Sequence, residues 1–167
     1  DLKGIEERWR AKLAKDEASI VDMVEAEDLE IATELMTPYA HWITPTFVPK
    51  RFDTWFFLAE APEDQIALHD GSESTDSVWI GPQEAIEEAK AGKRTLVHAT
   101  TKNLELLAEG KTVAGAISAA SVRKIVTVQP WVEVKDGKKF LHIPEGAGYR
   151  NLVREMPPSG GVPQTGR

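Results

Sequence analysis

The side chains best equipped for chemistry lie in and just after one stretch, YAHWITPTFVPKRFDTWFFLAEA, residues 39–61. Within it, Arg51-Phe52-Asp53-Thr54 stands at the mouth of a strongly aromatic run. A guanidinium fork matches phosphate oxygens, so Arg51 could reach a substrate phosphate or could instead brace the strand. Asp53 alternates with Phe52 and Thr54 and is expected to pair with an arginine or accept backbone hydrogen bonds that hold the strand mouth in shape. Next comes the acidic, hydroxyl-rich stretch EDQIALHDGSESTDS, which carries Glu73 shortly before Trp79. Carboxylates hold divalent cations and move protons, and loops on a rigid sheet are where such work tends to sit. Glu73 is therefore the leading acidic candidate, with a solvated loop residue as its plainer role. Asp70 and Asp76 rank below it, because loops collect aspartates for turn geometry. His41 adjoins Trp42 with no second histidine or carboxylate at ligand spacing, and reads as a core or hydrogen-bonded histidine; His69, His98 and His142 are similarly isolated. Most tryptophans belong in a core, although one could stack on an adenine. No glycine-rich phosphate loop, serine-histidine-acid set or zinc spacing is present in the sequence.

Composition narrows what these residues can do. The chain has 167 residues, which suits one domain with a real core better than two. Apolar residues make up 41% and charged residues 28%, and no apolar run approaches the roughly 18 residues of a membrane span, so a globular chain without a membrane partner is expected. A formal net charge of −7, with basic residues scattered in pairs such as Lys50-Arg51 and Lys93-Arg94, argues against a general nucleic-acid binder. A phosphorylated ligand would need a divalent cation or a locally basic pocket. Cysteine is absent, which removes disulfides, thiolate metal sites and sulfur nucleophiles and permits an intracellular, cytoplasmic setting.

The elements that must position the candidates are readable in outline. In IEERWRAKLAK, residues 5–15, Ile5, Trp9 and Leu13 form one apolar stripe, which predicts an amphipathic helix. Ser19, three residues ahead of Asp22, predicts a second, short helix with Ser19 as its cap. Tyr39–Thr44 and Phe52–Ala59 are rich in aromatic and β-branched residues and predict a hairpin-like strand pair, with Ser77–Ile80 continuing the sheet. Pro82 fits the first position of a helix ending before Gly92; further helices are expected over about Thr101–Glu109 and from just after Thr112 through Ala120. IVTVQPWVEVKDGKKFLHI alternates about Asp136-Gly137 and predicts a closing hairpin, with Pro130 confining one strand to an edge or a bulge. The segment PPSGGVPQTGR is expected to be a flexible tail.

His41-Trp42-Ile43-Thr44-Pro45, the run Arg51-Phe52-Asp53-Thr54 and the apolar Trp55-Phe56-Phe57-Leu58 resemble one branch of the Nudix hydrolase family. In that branch a W-x-T-P strand precedes an R-R-F-D-T segment and an aromatic strand, and it includes members that cleave coenzyme A and its thioesters at the diphosphate. Glu73, Trp79, Pro82, Glu84 and Ala85 match the branch's E-x5-W-x2-P-x-E-A segment at unbroken spacing, and WRAKLAKD resembles its helical insertion. The resemblance spans about residues 5–145 but lacks the signature G-x5-E-x7-R-E-U-x-E-E-x-G-U, in which U is a bulky apolar residue. Gly81 has Glu87 six residues on, but Thr95-Leu96 then stand where Arg-Glu belong, and Arg154-Glu155 runs into Met156-Pro157-Pro158.

The resemblance implies an α/β (α+β) chain, a Nudix-like α/β/α sandwich with a mixed sheet, incomplete at its N-terminus. It implies a helical insertion over 1–37, the C-terminal portion of a Nudix-like core over 38–156 and a tail over 157–167. It also implies metal-dependent cleavage of a diphosphate linkage in a small phosphoanhydride such as coenzyme A or an acyl-CoA, with Mg²⁺ or Mn²⁺ held mainly by residues upstream of Asp1. Glu73 becomes the expected metal ligand or base, and Arg51, Phe52 and Trp79 the expected substrate-binding residues. A complementing N-terminal segment or a homodimer is the expected partner. The alternative is a non-catalytic Nudix-like module that binds a nucleotide or a protein.

Overall fold

The computed structural model describes residues 2–62 and 76–157. The chain divides into two compact units, one of residues 1–35 and 61–78, the other of residues 36–60 and 79–167.

In the first unit, α1 runs over Leu2–Ala14 and α2 over Ile20–Ala26. The expected stripe of Ile5, Trp9 and Leu13 is half-buried while its neighbours on the opposite side are exposed, so periodicity fixes which face α1 turns inward. Ser19 caps α2 reciprocally. The Asp22 N–H donates to Ser19 Oγ at 3.1 Å, and the Ser19 N–H donates to Asp22 Oδ2 at 2.7 Å, so donors that a helix start leaves orphaned are satisfied. Arg8 grips Glu27 with both Nε and Nη2, at 3.0 and 2.6 Å, and Trp9 Nε1 donates to the same carboxylate at 2.6 Å. These bonds tie α1 to the end of α2, and the Arg8 bond is the main reason the Glu27 carboxyl sits below its usual range. A single 3₁₀ turn follows at Thr33–Leu35.

The second unit holds two three-stranded sheets. In the first, the central strand β1 (Thr37–Ile43) pairs antiparallel with β2 (Asp53–Leu58) and parallel with β3 (Thr127–Val128), which makes the sheet mixed. The register of β1 shifts between Pro38 and Ala40, where proline offers no N–H to the ladder, and Tyr39 and Ala40 are both buried as a result. In the second sheet, β4 (Trp131–Lys135), β5 (Lys138–His142) and β6 (Val153–Glu155) form an antiparallel meander. Asp136 and Gly137 turn β4 into β5 with φ of 51° and 75°, the left-handed pair that a two-residue hairpin requires. Pro130 lies where the chain passes from one sheet to the other, and β4 is an edge strand, as the proline foretold.

Between the hairpin and β3 the chain forms α3 (Pro82–Lys90), α4 (His98–Leu107) and α5 (Val113–Val122). Pro82 opens α3, Gly92 follows it at φ 75°, and the Thr112 hydroxyl caps α5 by accepting from the Gly115 N–H at 3.0 Å. Helix α3 packs on α4, and α5 packs on β1. The core gathers Tyr39, Ala40, Trp42, Ala120, Val128 and Ile143, with Phe56, Leu58 and Leu106 against them. The α/β class read from the sequence is therefore what the chain adopts, built on two small sheets.

Two expectations need correction, and one strand is additional to those expected. Residues 77–80 form no strand; Val78 and Trp79 are 51% and 75% exposed, too little buried for their apolar character to secure a place in a ladder. Helix α4 starts at His98 rather than near Thr101, because the Val97 carbonyl already accepts from the Thr101 N–H at 2.9 Å. The strand β6 was not anticipated at all. Residues 158–167, read as a flexible tail, lie outside the described residues, apart from which Pro157 is exposed.

Candidate functional site

The mouth of the β1–β2 hairpin is built around Thr44, which carries three bonds. Its N–H donates to the Phe52 carbonyl at 2.9 Å, its hydroxyl accepts from the Phe52 N–H at 2.9 Å, and its carbonyl accepts from Arg51 Nε at 3.0 Å. The T-P of the first motif and the R-F of the second are therefore two halves of one clamp. Arg51 spends only Nε on this clamp; its terminal nitrogens have no protein partner among the described residues. Lys50 Nζ stands 5.1 Å from the centre of the Phe52 ring, which is 55% exposed. The hairpin mouth thus presents two cations and an open aromatic face, a locally basic spot on an acidic chain.

Immediately behind the mouth, on the same sheet, Asp53 meets a histidine rather than an arginine. Asp53 Oδ1 lies 2.6 Å from His41 Nε2, and His41 Nδ1 lies 2.8 Å from Thr127 Oγ1. Strand register causes this. His41 is paired directly with Trp55 on β2 and with Thr127 on β3, and Asp53 is two residue pairs along the ladder and so on the same face. Trp55 stacks on the imidazole at 4.3 Å with planes 10° apart. His41 is thus the hydrogen-bonded histidine its sequence context suggests, and the acid that bonds it comes across the hairpin, where spacing along the chain does not show it. His142 repeats the arrangement on the second sheet, stacked on the opposing Trp131 at 5.3 Å with Glu133 Oε2 3.0 Å away. That approach is out of line for a hydrogen bond, and His142 Nε2 is buried without one.

On the core side of β1, a polar chain threads the packing. Trp42 Nε1 donates to the Tyr149 hydroxyl at 2.9 Å, which donates to Asn103 Oδ1 at 2.6 Å, while the Tyr39 hydroxyl donates to the Asn103 carbonyl at 2.8 Å. Burial pushes the Tyr39 hydroxyl up to about 12 and raises Tyr149 as well. Arg123 lies over the Tyr39 ring at 4.7 Å and donates to the Tyr39 carbonyl. His98 meets Trp42 edge-on at 6.1 Å, and burial first, then the positive charges of Arg154 and Lys102, lower it to about 4 against the opposing pull of Glu105. His98 is therefore neutral near pH 7 and acts as a packed aromatic. A cleft of about 270 Å³ beside α4 is lined by Lys102, Glu105, Glu109, Tyr149 and Arg150. Its charges satisfy one another: Lys102 Nζ donates to Glu105 at 2.7 Å and to the Arg150 carbonyl at 2.8 Å, and Arg150 pairs with Glu109 at 3.0 Å.

Of the residues singled out in the sequence, Arg51 and Phe52 sit together at the hairpin mouth. Trp79 is highly exposed and makes no hydrogen bond or ring contact among the described residues. Glu73, Asp70 and His69 lie outside the described residues, while Asp76 is used locally, its Oδ1 accepting from the Ser77 N–H at 2.9 Å. No three described histidines or carboxylates converge as a set able to hold a metal ion. No described helix is long and apolar enough to cross a membrane.

Over 100 residues the chain is 29% identical to a Caenorhabditis elegans protein named "Putative nudix hydrolase 7", an alignment that covers 60% of this chain and 34% of that protein. The relationship is to Nudix hydrolases, and it is distant. The chain spans about a third of the length of the curated relative it matches. No family model matches the sequence, and no solved structure matches it.

Proposed function

We propose that this chain is part of a Nudix-type hydrolase that splits the diphosphate linkage of a small phosphoanhydride, with coenzyme A and its thioesters as the favoured class. The similarity to a Nudix hydrolase over 100 residues carries this reading. The ordered motifs at 41–45, 51–58 and 79–85 support it, and so does the hairpin mouth that the first two build. There the end of the Arg51 guanidinium, which has no partner among the described residues, can take phosphate oxygens, and the exposed ring of Phe52 can lie against a base or pantetheine arm. Nudix hydrolases generally use Mg²⁺ or Mn²⁺. The donors for such an ion are proposed to come from Glu73 and from signature carboxylates that this sequence does not contain. Residues 1–37 are proposed as a helical insertion and residues 38–156 as the C-terminal portion of the Nudix-like core.

The test is release of phosphorylated products from coenzyme A, with and without Mg²⁺. Residues 1–167 alone are expected to show little turnover, and a protein that also carries the signature helix is expected to show it. In that active protein Arg51→Ala should raise KM about 10- to 100-fold, the loss of one charge-assisted phosphate contact, and Glu73→Gln should lower kcat. A signature-bearing protein that binds coenzyme A without cleaving it would overturn the enzyme in favour of a binding module. One that neither binds nor cleaves it would overturn the substrate class.

A further inference from the structure

We propose that Thr127 is an activated hydroxyl nucleophile, and that Thr127, His41 and Asp53 form an acyl-transfer site that needs no metal. Three observations carry this, and none depends on the diphosphatase reading. The first is connectivity: an acid, an imidazole and a hydroxyl lie in series at 2.6 and 2.8 Å.

The second is the tautomer. An ionised carboxylate can only accept a hydrogen bond, so the His41 nitrogen facing Asp53, Nε2, carries the proton. Nδ1 is then a lone pair, and the Thr127 hydroxyl donates to it. This is the arrangement in which a histidine can act as general base toward a hydroxyl while a carboxylate fixes its orientation and stabilises the imidazolium that forms. Trp55, stacked on the ring, removes the remaining rotational freedom.

The third is access. Ala40, Trp42 and Val128 point into the core, so their ladder neighbours His41 and Thr127 point to the opposite face of the sheet. The His41 side chain is 12% exposed, a desolvated base, whereas Thr127 is exposed and can be approached.

The chemistry balances without a co-reactant. Thr127 Oγ1 bonds to the carbonyl carbon of an acyl donor as its proton passes to His41 Nδ1. The bond from carbonyl carbon to leaving group breaks, its electron pair departs with the sulfur or oxygen, and that atom takes the proton from His41. The product is an acyl ester on Thr127. Water then attacks this ester, again giving its proton to His41, and the carboxylic acid leaves as the hydroxyl is restored. Donors with good anionic leaving groups suit such an open site, so the class is thioesters and aryl esters.

p-Nitrophenyl acetate in the presence of EDTA tests this, because chelation silences any metal-dependent diphosphatase and leaves this reaction untouched. A burst of nitrophenolate is expected, with one acetyl group per chain mapped to Thr127 by peptide mass analysis. Thr127→Val, nearly isosteric, should abolish the burst with an unchanged circular dichroism spectrum, and Thr127→Ser should retain it. His41→Gln should slow it by about 100-fold or more. Asp53 acts through His41 as a positioning residue. Asp53→Asn should slow the burst and move the pH at which its rate is half-maximal, which a purely structural carboxylate would leave in place. Acetylation confined to lysines, a burst that survives Thr127→Val or His41→Gln, or the absence of any burst would overturn the proposal.

Discussion

Acidification should weaken the second unit through His98, and the size of the effect follows from its surroundings. Burial and the charges of Arg154 and Lys102 lower this histidine from 6.5 to about 4 in the folded chain. Between those two values the unfolded chain holds a proton that the folded chain refuses, so stability rises with pH across the interval. The contribution is fully present above 6.5 and is lost progressively as the pH falls toward 4. At about 1.4 kcal/mol per pH unit the gap corresponds to about 3 kcal/mol, and partial solvent exposure reduces this to about 1–2 kcal/mol. Urea denaturation at about pH 7 and about pH 4.5, followed by tryptophan fluorescence and circular dichroism, measures it. Carboxylates also titrate across that interval, so the informative quantity is a difference between proteins. His98→Gln should lose about 1–2 kcal/mol less than the unmodified chain between the two pH values. Equal losses in both proteins would refute the argument that His98 is held neutral by the core.

Two further changes probe the scaffold beneath the candidate site. Thr44→Val leaves the Phe52 N–H without its 2.9 Å acceptor; it should cost about 1 kcal/mol in urea denaturation and speed hydrogen exchange at that amide. At Gly137 an added Cβ would meet nothing within 4 Å, so Gly137→Ala isolates the cost of φ 75° alone. That is about 1 kcal/mol, a fall in Tm of about 2–4 °C.

Local signals in the sequence were legible wherever a few neighbouring residues decide the outcome. Ser19 and Thr112 cap helices, Pro82 starts one, and Asp136-Gly137 turns a hairpin, because each acts through backbone geometry within three or four residues. The failures share a different cause. The strand β6, Val-Arg-Glu, is exposed throughout and has no apolar alternation; its partner β5 recruits it, and nothing in its own composition does. Residues 77–80 have strand-like composition but no partner among the described residues. The His41–Asp53 contact depends on the hairpin register, which the irregularity between Pro38 and Ala40 helps to set. A slip by one residue would carry Asp53 to the opposite face, so no pattern along the chain could announce the pairing. The clamp of Thr44 with Arg51 and Phe52 lay halfway between: both motifs were visible, but their meeting was not.

The strand β3 is tied to β1 by two register pairs, between residues 86 positions apart in the chain. Closing a loop of that length costs about 4 kcal/mol of chain entropy. The hairpins on either side need close only a few residues, so they can assemble early and cheaply. What offsets the long closure is chiefly Val128, 1% exposed, whose burial is worth about 2 kcal/mol, helped by the Thr127 hydroxyl on His41. Capture of β3 is expected to follow closure of the two hairpins, and the hydroxyl then reaches its imidazole late in folding.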